Sequence, residues 1–188
     1  YDDPKASNPI DLSEKSIQSI TCGNANVIKE LCNQATKGVL IIDGYIGIDF
    51  DATITPLKQE LGHAAFLDIA SCYKTQAQLD QMLDPYLAVD SSMDPVSLFG
   101  RIYHGEIDDL LDKTKLADLL EQITQSDKPV IVYGCGSGCQ SVRQLADRIV
   151  YLDIAPKNIV LRAKAGKIKC IGDETNRPFK QLLRHLYY

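Results

Sequence analysis

Asp49 and Asp51 stand two residues apart, with Thr53 two further on, so residues 49–53 read D-x-D-x-T. Two carboxylates at this spacing can divide the work of phosphate chemistry. Carboxylates can act as nucleophiles, as proton carriers and as magnesium ligands. Residues 172–176 (GDETN) add a late acid, so Asp49, Asp51 and Asp173 form a candidate magnesium set. Just upstream lies a different feature: the apolar run 39–42 leads into Asp43-Gly44-Tyr45-Ile46-Gly47. A loop in this position commonly cradles phosphate with backbone N–H groups and a lysine. Here the spacer of four followed by Gly-Lys is missing, and the nearest downstream lysine is Lys58. The acids Asp43, Asp49 and Asp51 would repel a triphosphate, which favours an acidic surface loop over intact nucleotide binding.

A second glycine loop, Gly134-Cys135-Gly136-Ser137-Gly138-Cys139, follows the β-branched run 130–133. Glycines here permit either a close approach of backbone to ligand or a tight turn. The loop does not match G-x-G-x-x-G, and Ser137 lacks the G-x-S-x-G setting of a nucleophile elbow. Cys135 and Cys139 lack zinc-site spacing and read as small packing residues. His63, His104 and His185 are scattered. Arg101 and His104 flank the segment FGRIYHGE, where they face either an anionic ligand or the local acids. The D-x-D-x-T segment and the late acid are similar to haloacid-dehalogenase-like phosphatases, a resemblance that implies Asp49 as nucleophile, Asp51 as general acid and magnesium between them. The pattern departs from theirs at Arg177, where a second acid is expected, and the best apolar strand ends at Asp43, six residues ahead of the proposed nucleophile.

The elements that must position these residues alternate. Helices are expected at 24–37 (capped by Asn24, ended by Gly38), 53–61, 76–87, 106–125 (one or two) and 178–188. Strands are expected at 39–43, 65–70, 130–133 and 149–153, with a last one at 169–171, and a short strand or lid at 98–103. Residues 1–9 read as an arm and 90–95 as an irregular acidic stretch. Strands alternating with helices argue a three-layer α/β/α domain with a mainly parallel sheet. In such sheets ligands sit at the carboxyl ends of the strands, where both glycine loops fall. Asp43, Asp49, Asp51 and Asp68 could converge there.

The 188 residues suit one domain, 45% hydrophobic and 24% charged. A net charge of −5 gives no footing for nucleic-acid binding. No apolar run approaches membrane-span length, and six cysteines without a regular framework read as reduced thiols of a cytoplasmic protein. The opening at Tyr1 and the apolar ending His185-Leu186-Tyr187-Tyr188 read as a domain cut from a longer chain.

The order of the pieces resembles one family: the N-terminal, uridine-kinase-like domain of long bacterial class I mannose-6-phosphate isomerase-like proteins. The segments that carry the resemblance are VLIIDGYIGID (39–49), LFGRIYHGEIDDLLD (98–112), KPVIVYGCGSG (128–138), RIVYLDIAPKNIVLRAKAG (148–166) and RPFKQLLRHLYY (177–188). The resemblance implies a fold similar to P-loop NTPases and nucleoside kinases over residues 38–188, preceded by an arm and first helices over 1–37. It implies a degenerate Walker A loop and an accessory role, binding or structural, with a nucleotide or sugar phosphate held near Asp43, Gly44, Gly47, Arg101, Gly134, Gly136 and Arg162. It also implies a partner, the cupin isomerase domain of the same parent protein. Any zinc belongs to that cupin, which is not in this chain, and magnesium is the one other metal expected. The alternatives are a magnesium-dependent phosphatase using Asp49 and Asp51, and a purely structural domain whose apolar face near Leu183, Leu186, Tyr187 and Tyr188 packs on a partner.

Overall fold

A computed structural model describes residues 11–87 and 100–187. The arm at 1–9, the acidic stretch at 90–95 and the first part of the expected strand or lid at 98–103 lie outside the described residues.

Four parallel strands, β1 (Val39–Gly44), β2 (Ala65–Asp68), β3 (Val130–Tyr133) and β4 (Arg148–Leu152), form one sheet in the order β2-β3-β1-β4. β1 and β3 are central because their runs are apolar on both faces, as strands covered from both sides must be. Leu40, Ile42 and Ile131 point to one face, where they meet α2 (Asn24–Gln34) and α3 (Asp51–Glu60) through Ile28, Leu31, Ile54 and Leu57. Ile41, Val130 and Val132 point to the other and meet α5 (Lys113–Thr124) through Leu116, Leu119 and Ile123. The two cores on opposite faces make the three layers of an α/β/α domain. β4 is an edge strand, and its Ile149 and Tyr151 are exposed. No helix among the described residues is long and apolar enough to cross a membrane.

The remaining helices are α1 (Glu14–Gln18), α4 (Gln76–Leu87), α6 (Gln140–Arg143), α7 (Pro156–Lys164) and α8 (Phe179–Tyr187). α1 buries no residue, whereas α2 belongs to the core of the sheet. Several local expectations change. Gly23, with φ of 90°, is the N-cap of α2, and Asn24 is its first residue. That helix stops at Gln34, and Gly38 (φ 71°) instead turns the chain into β1. Pro56 lies in the second turn of α3, which begins earlier than expected at Asp51. The second strand stops at Asp68, because its carboxylate accepts the Ala70 N–H (2.9 Å) and opens a short 3-10 turn, Ile69–Cys72. Residues 106–125 divide into a 3-10 turn, Ile107–Leu110, and α5, whose N-cap is Asp112.

The expected strand at 169–171 does not form. Its polar and backbone groups are taken locally: Cys170 N–H donates to Asp173 Oδ2 (3.1 Å) and Lys169 Nζ to the Glu174 carbonyl (2.7 Å). Glu174 N–H then donates to Gln76 Oε1 (3.1 Å), which docks the segment on α4. The apolar side of α8 is partly used: Leu182 is buried with Ala163 and Ile168, and Leu183 and Leu186 are half-buried.

Candidate functional site

From β1 the chain crosses toward β2, and from β3 it crosses the other way toward β4. The connections leaving the carboxyl ends of these neighbouring strands therefore run in opposite directions, which opens a crevice of the kind that takes ligands in open parallel sheets. A cleft of about 540 Å³ lies there. One wall is the loop after β1, from Ile46 to Asp51. A second comes from Asp68 and Tyr73 after β2 with Tyr133, Gly134 and Cys135 after β3. Arg162 of α7 and the irregular segment from Lys169 to Asp173 complete it.

Backbone conformation shapes both loops. Gly47 (φ 99°) lets the β1 loop pass over Ile168, whose Cδ1 would lie 2.7 Å from a Cβ at that position. Gly134 (φ 115°) turns the chain out of β3 with only 2.9 Å available between a Cβ and Ile69 Cγ2. An L side chain is strained at both angles.

Hydrogen bonds tie the two loops together behind the cleft. Asp43 Oδ1 accepts the N–H groups of Gly44 (2.8 Å) and Gly136 (2.9 Å), and the buried Ser137 hydroxyl donates to the Ile42 carbonyl (3.2 Å). Tyr73 donates its hydroxyl to the Cys135 carbonyl at 2.6 Å. Burial, and then nearby Cys135 and Asp68, push the Tyr73 phenol far above its ordinary value. Burial, with the Asp43 charge behind it, pushes the Cys135 thiol up to about 12. Burial and Asp173 raise Cys170 to about 12 likewise. Both are thiols rather than thiolates near neutrality, so neither is a nucleophile there.

The cleft gathers Gly47, Asp49, Asp51, Gly134, Arg162 and Asp173. Asp43, Gly44 and Gly136 belong to the bracing behind it. Arg101 lies elsewhere, its N–H donating to the Tyr86 carbonyl at the end of α4 (2.7 Å). Asp49 Oδ2 lies 3.5 Å from Arg162 Nη1. The Asp173 side chain is fully buried and bound by Arg177, through Nε at 2.7 Å and Nη2 at 2.6 Å. Arg177 reaches Asp80 of α4 as well, at 2.6 Å. Two of the three acids expected to share a magnesium therefore face guanidinium groups. No group of three or more His, Cys, Asp or Glu side chains among the described residues converges as a metal site.

Tyr73, Tyr133, Lys169 and Cys170 line the cleft without having been singled out from the sequence. Tyr73 arrives by the pairing of β2 with β3, and Lys169 by the docking of its segment on α4. Counted from Gly44, the spacer of a phosphate loop reaches Asp49, Phe50 and Asp51, where Gly, Lys and Ser or Thr would stand. The cleft's cations come instead from the far side, as Arg162 and Lys169.

Fold and cleft together define an α/β domain with a switch-point crevice and an acidic first loop. Residues 23–188 match a family described as a domain of unknown function, DUF8485, and the chain belongs to that family. The match opens at the N-cap of α2, so it takes in the helix that covers β1 and leaves out α1. No curated protein matches the chain.

Proposed function

We propose that this domain is a kinase-like accessory module that binds a small phosphorylated ligand, a nucleotide or sugar phosphate, without transferring its phosphoryl group. One observation carries the proposal: a cleft at the switch point of β1 and β3 with Arg162 and Lys169 on its far wall and no lysine in its first loop. Cations suit phosphate, and their place at a switch-point crevice is where a parallel sheet presents ligands. Catalysis of phosphoryl transfer depends on a lysine and a magnesium held against the β- and γ-phosphates. Asp49 and Asp51 put negative charge there instead. Of the five segments that resemble the uridine-kinase-like domain, 39–49, 128–138 and 148–166 fall on β1, β3, β4 and α7 and 177–188 on α8, which supports a parent protein of the mannose-6-phosphate isomerase-like kind.

A second reading rests on Asp49 and Asp51 lining the same cleft, as an aspartate-nucleophile phosphatase would need. Thermal unfolding with ATP, GTP, mannose 6-phosphate and fructose 6-phosphate, each with and without magnesium, separates the two. A ligand at 100 times its Kd stabilises the fold by about 2.7 kcal/mol. Stabilisation without phosphate release is the expected result. Magnesium-dependent phosphate release that Asp49→Asn abolishes would establish the phosphatase instead.

A further inference from the structure

Arg162 is incompletely satisfied. Its Nε is buried and has no hydrogen-bond partner, and its Nη1 has only Asp49 Oδ2 at 3.5 Å. Charge-assisted pairs close to about 2.7–2.9 Å when geometry allows. A guanidinium offers five N–H donors in a planar fork, so this one can take a further acceptor beside Asp49. Asp49 is the looser partner: its side chain is 54% exposed against 28% for Arg162. Its neighbours explain the poor fit. Asp49 belongs to the loop after β1 and Arg162 to α7, and these two elements are held together by the apolar cluster that Ile46 and Ile159 share rather than by this pair.

We infer that Asp49 is an internal stand-in for the ligand's anion, resting on Arg162 until a phosphate group displaces it. The inference rests on the proposed binding function and names how the same cleft is regulated. An exposed pair of this kind contributes only about 0.2–1 kcal/mol, so displacement is easy. A phosphate dianion gains more than Asp49 loses, because it carries more charge and three acceptor oxygens for the unspent donors of Arg162 and for Lys169. Lys169 also lines the cleft, and its Nζ spends only one of three donors, on the Glu174 carbonyl. A carboxylate ligand gains nothing comparable, since it replaces like with like. The site therefore selects phosphate monoesters over carboxylates of the same size. Displaced, Asp49 remains with Asp51 on the β1-loop wall, where both carboxylates can accept from the hydroxyl groups of a ligand.

The test is calorimetric titration of mannose 6-phosphate and ATP into the wild-type protein and into Asp49→Asn, Asp51→Asn and Arg162→Gln, at fixed ionic strength. A hexuronic acid serves as the carboxylate probe. Asp49→Asn is expected to tighten phosphate binding about two- to fivefold. Asp51→Asn, which removes equal charge from the same wall of the cleft but no partner of Arg162, tightens it less. Arg162→Gln weakens it about tenfold or more. Equal tightening by the two Asn variants would overturn displacement, as would a hexuronic acid that binds wild type as well as mannose 6-phosphate does. Binding that needs Arg162 but ignores Asp49 would also overturn displacement while leaving the binding function in place. No binding to any of the four proteins would overturn both.

Discussion

Asp43 and Gly136, 93 positions apart in the chain, are joined by a 2.9 Å hydrogen bond from the Gly136 N–H to Asp43 Oδ1. The same oxygen accepts the Gly44 N–H, so one carboxylate fixes the exits of both central strands. The last acid of β1 thus shapes the floor of the cleft from behind.

Asp43→Ala is expected to lower stability by about 1.5–3 kcal/mol, the range for hydrogen bonds to a charged group. Asp43→Asn, which keeps an acceptor oxygen, loses less. Gly138→Ala places a Cβ 2.6 Å from Asp43 Oδ2 and is destabilising too. In the Asp43→Ala background that clash disappears, so the two effects are non-additive. Urea unfolding of the two single variants and the double variant measures the coupling.

Arg177 holds the cleft's irregular wall to α4 through Asp173 and Asp80. Arg177→Met leaves the fully buried Asp173 carboxylate without its counter-charge, at a cost of about 3–5 kcal/mol. Adding Asp173→Asn restores part of that loss. Chemical denaturation of the single and double variants checks the loss and its partial recovery.

His185 has its pKa lowered, first by burial and then by the nearby Arg177 charge. A folded-state pKa below the unfolded value of 6.5 means that the unfolded chain takes up the proton first. Stability from this group is complete above about pH 6.5 and declines as pH falls toward the folded pKa. His185→Gln should remove that part of the acid-side decline, read from urea midpoints between pH 7.5 and 5.

Cys22 is exposed, whereas Cys72 and Cys139 are buried and the Cys135 and Cys170 thiols titrate near 12. Iodoacetamide at pH 8 should therefore label Cys22 first in the folded protein. Peptide mapping by mass spectrometry follows the order. Early labelling of Cys135 would show that the β3 loop opens to solvent.

Much of the fold could be read from local pattern. β1 and β3 announce themselves as unbroken apolar runs, and α4 occupies the expected residues 76–87. What could not be read depends on partners distant in sequence. The segment from Lys169 looks like a strand by composition, but it spends its hydrogen bonds on Asp173, Glu174 and Gln76. The site follows the same division. Both glycine loops lie at strand ends, as alternation of strand and helix dictates. The commitment of Asp43 to bracing, the Tyr73 bond to Cys135 and the meeting of Asp49 with Arg162 over 113 positions arise only from strand order.

The most direct measurement of the central claim is a 15N-resolved NMR titration of the protein with mannose 6-phosphate and, separately, with ATP. Binding in the cleft predicts saturable shifts of the amides of Gly47, Asp49, Gly134, Cys135, Arg162 and Gly172, which Arg162→Gln suppresses. Shifts confined to α8 and its surroundings, or none with either ligand, would contradict it.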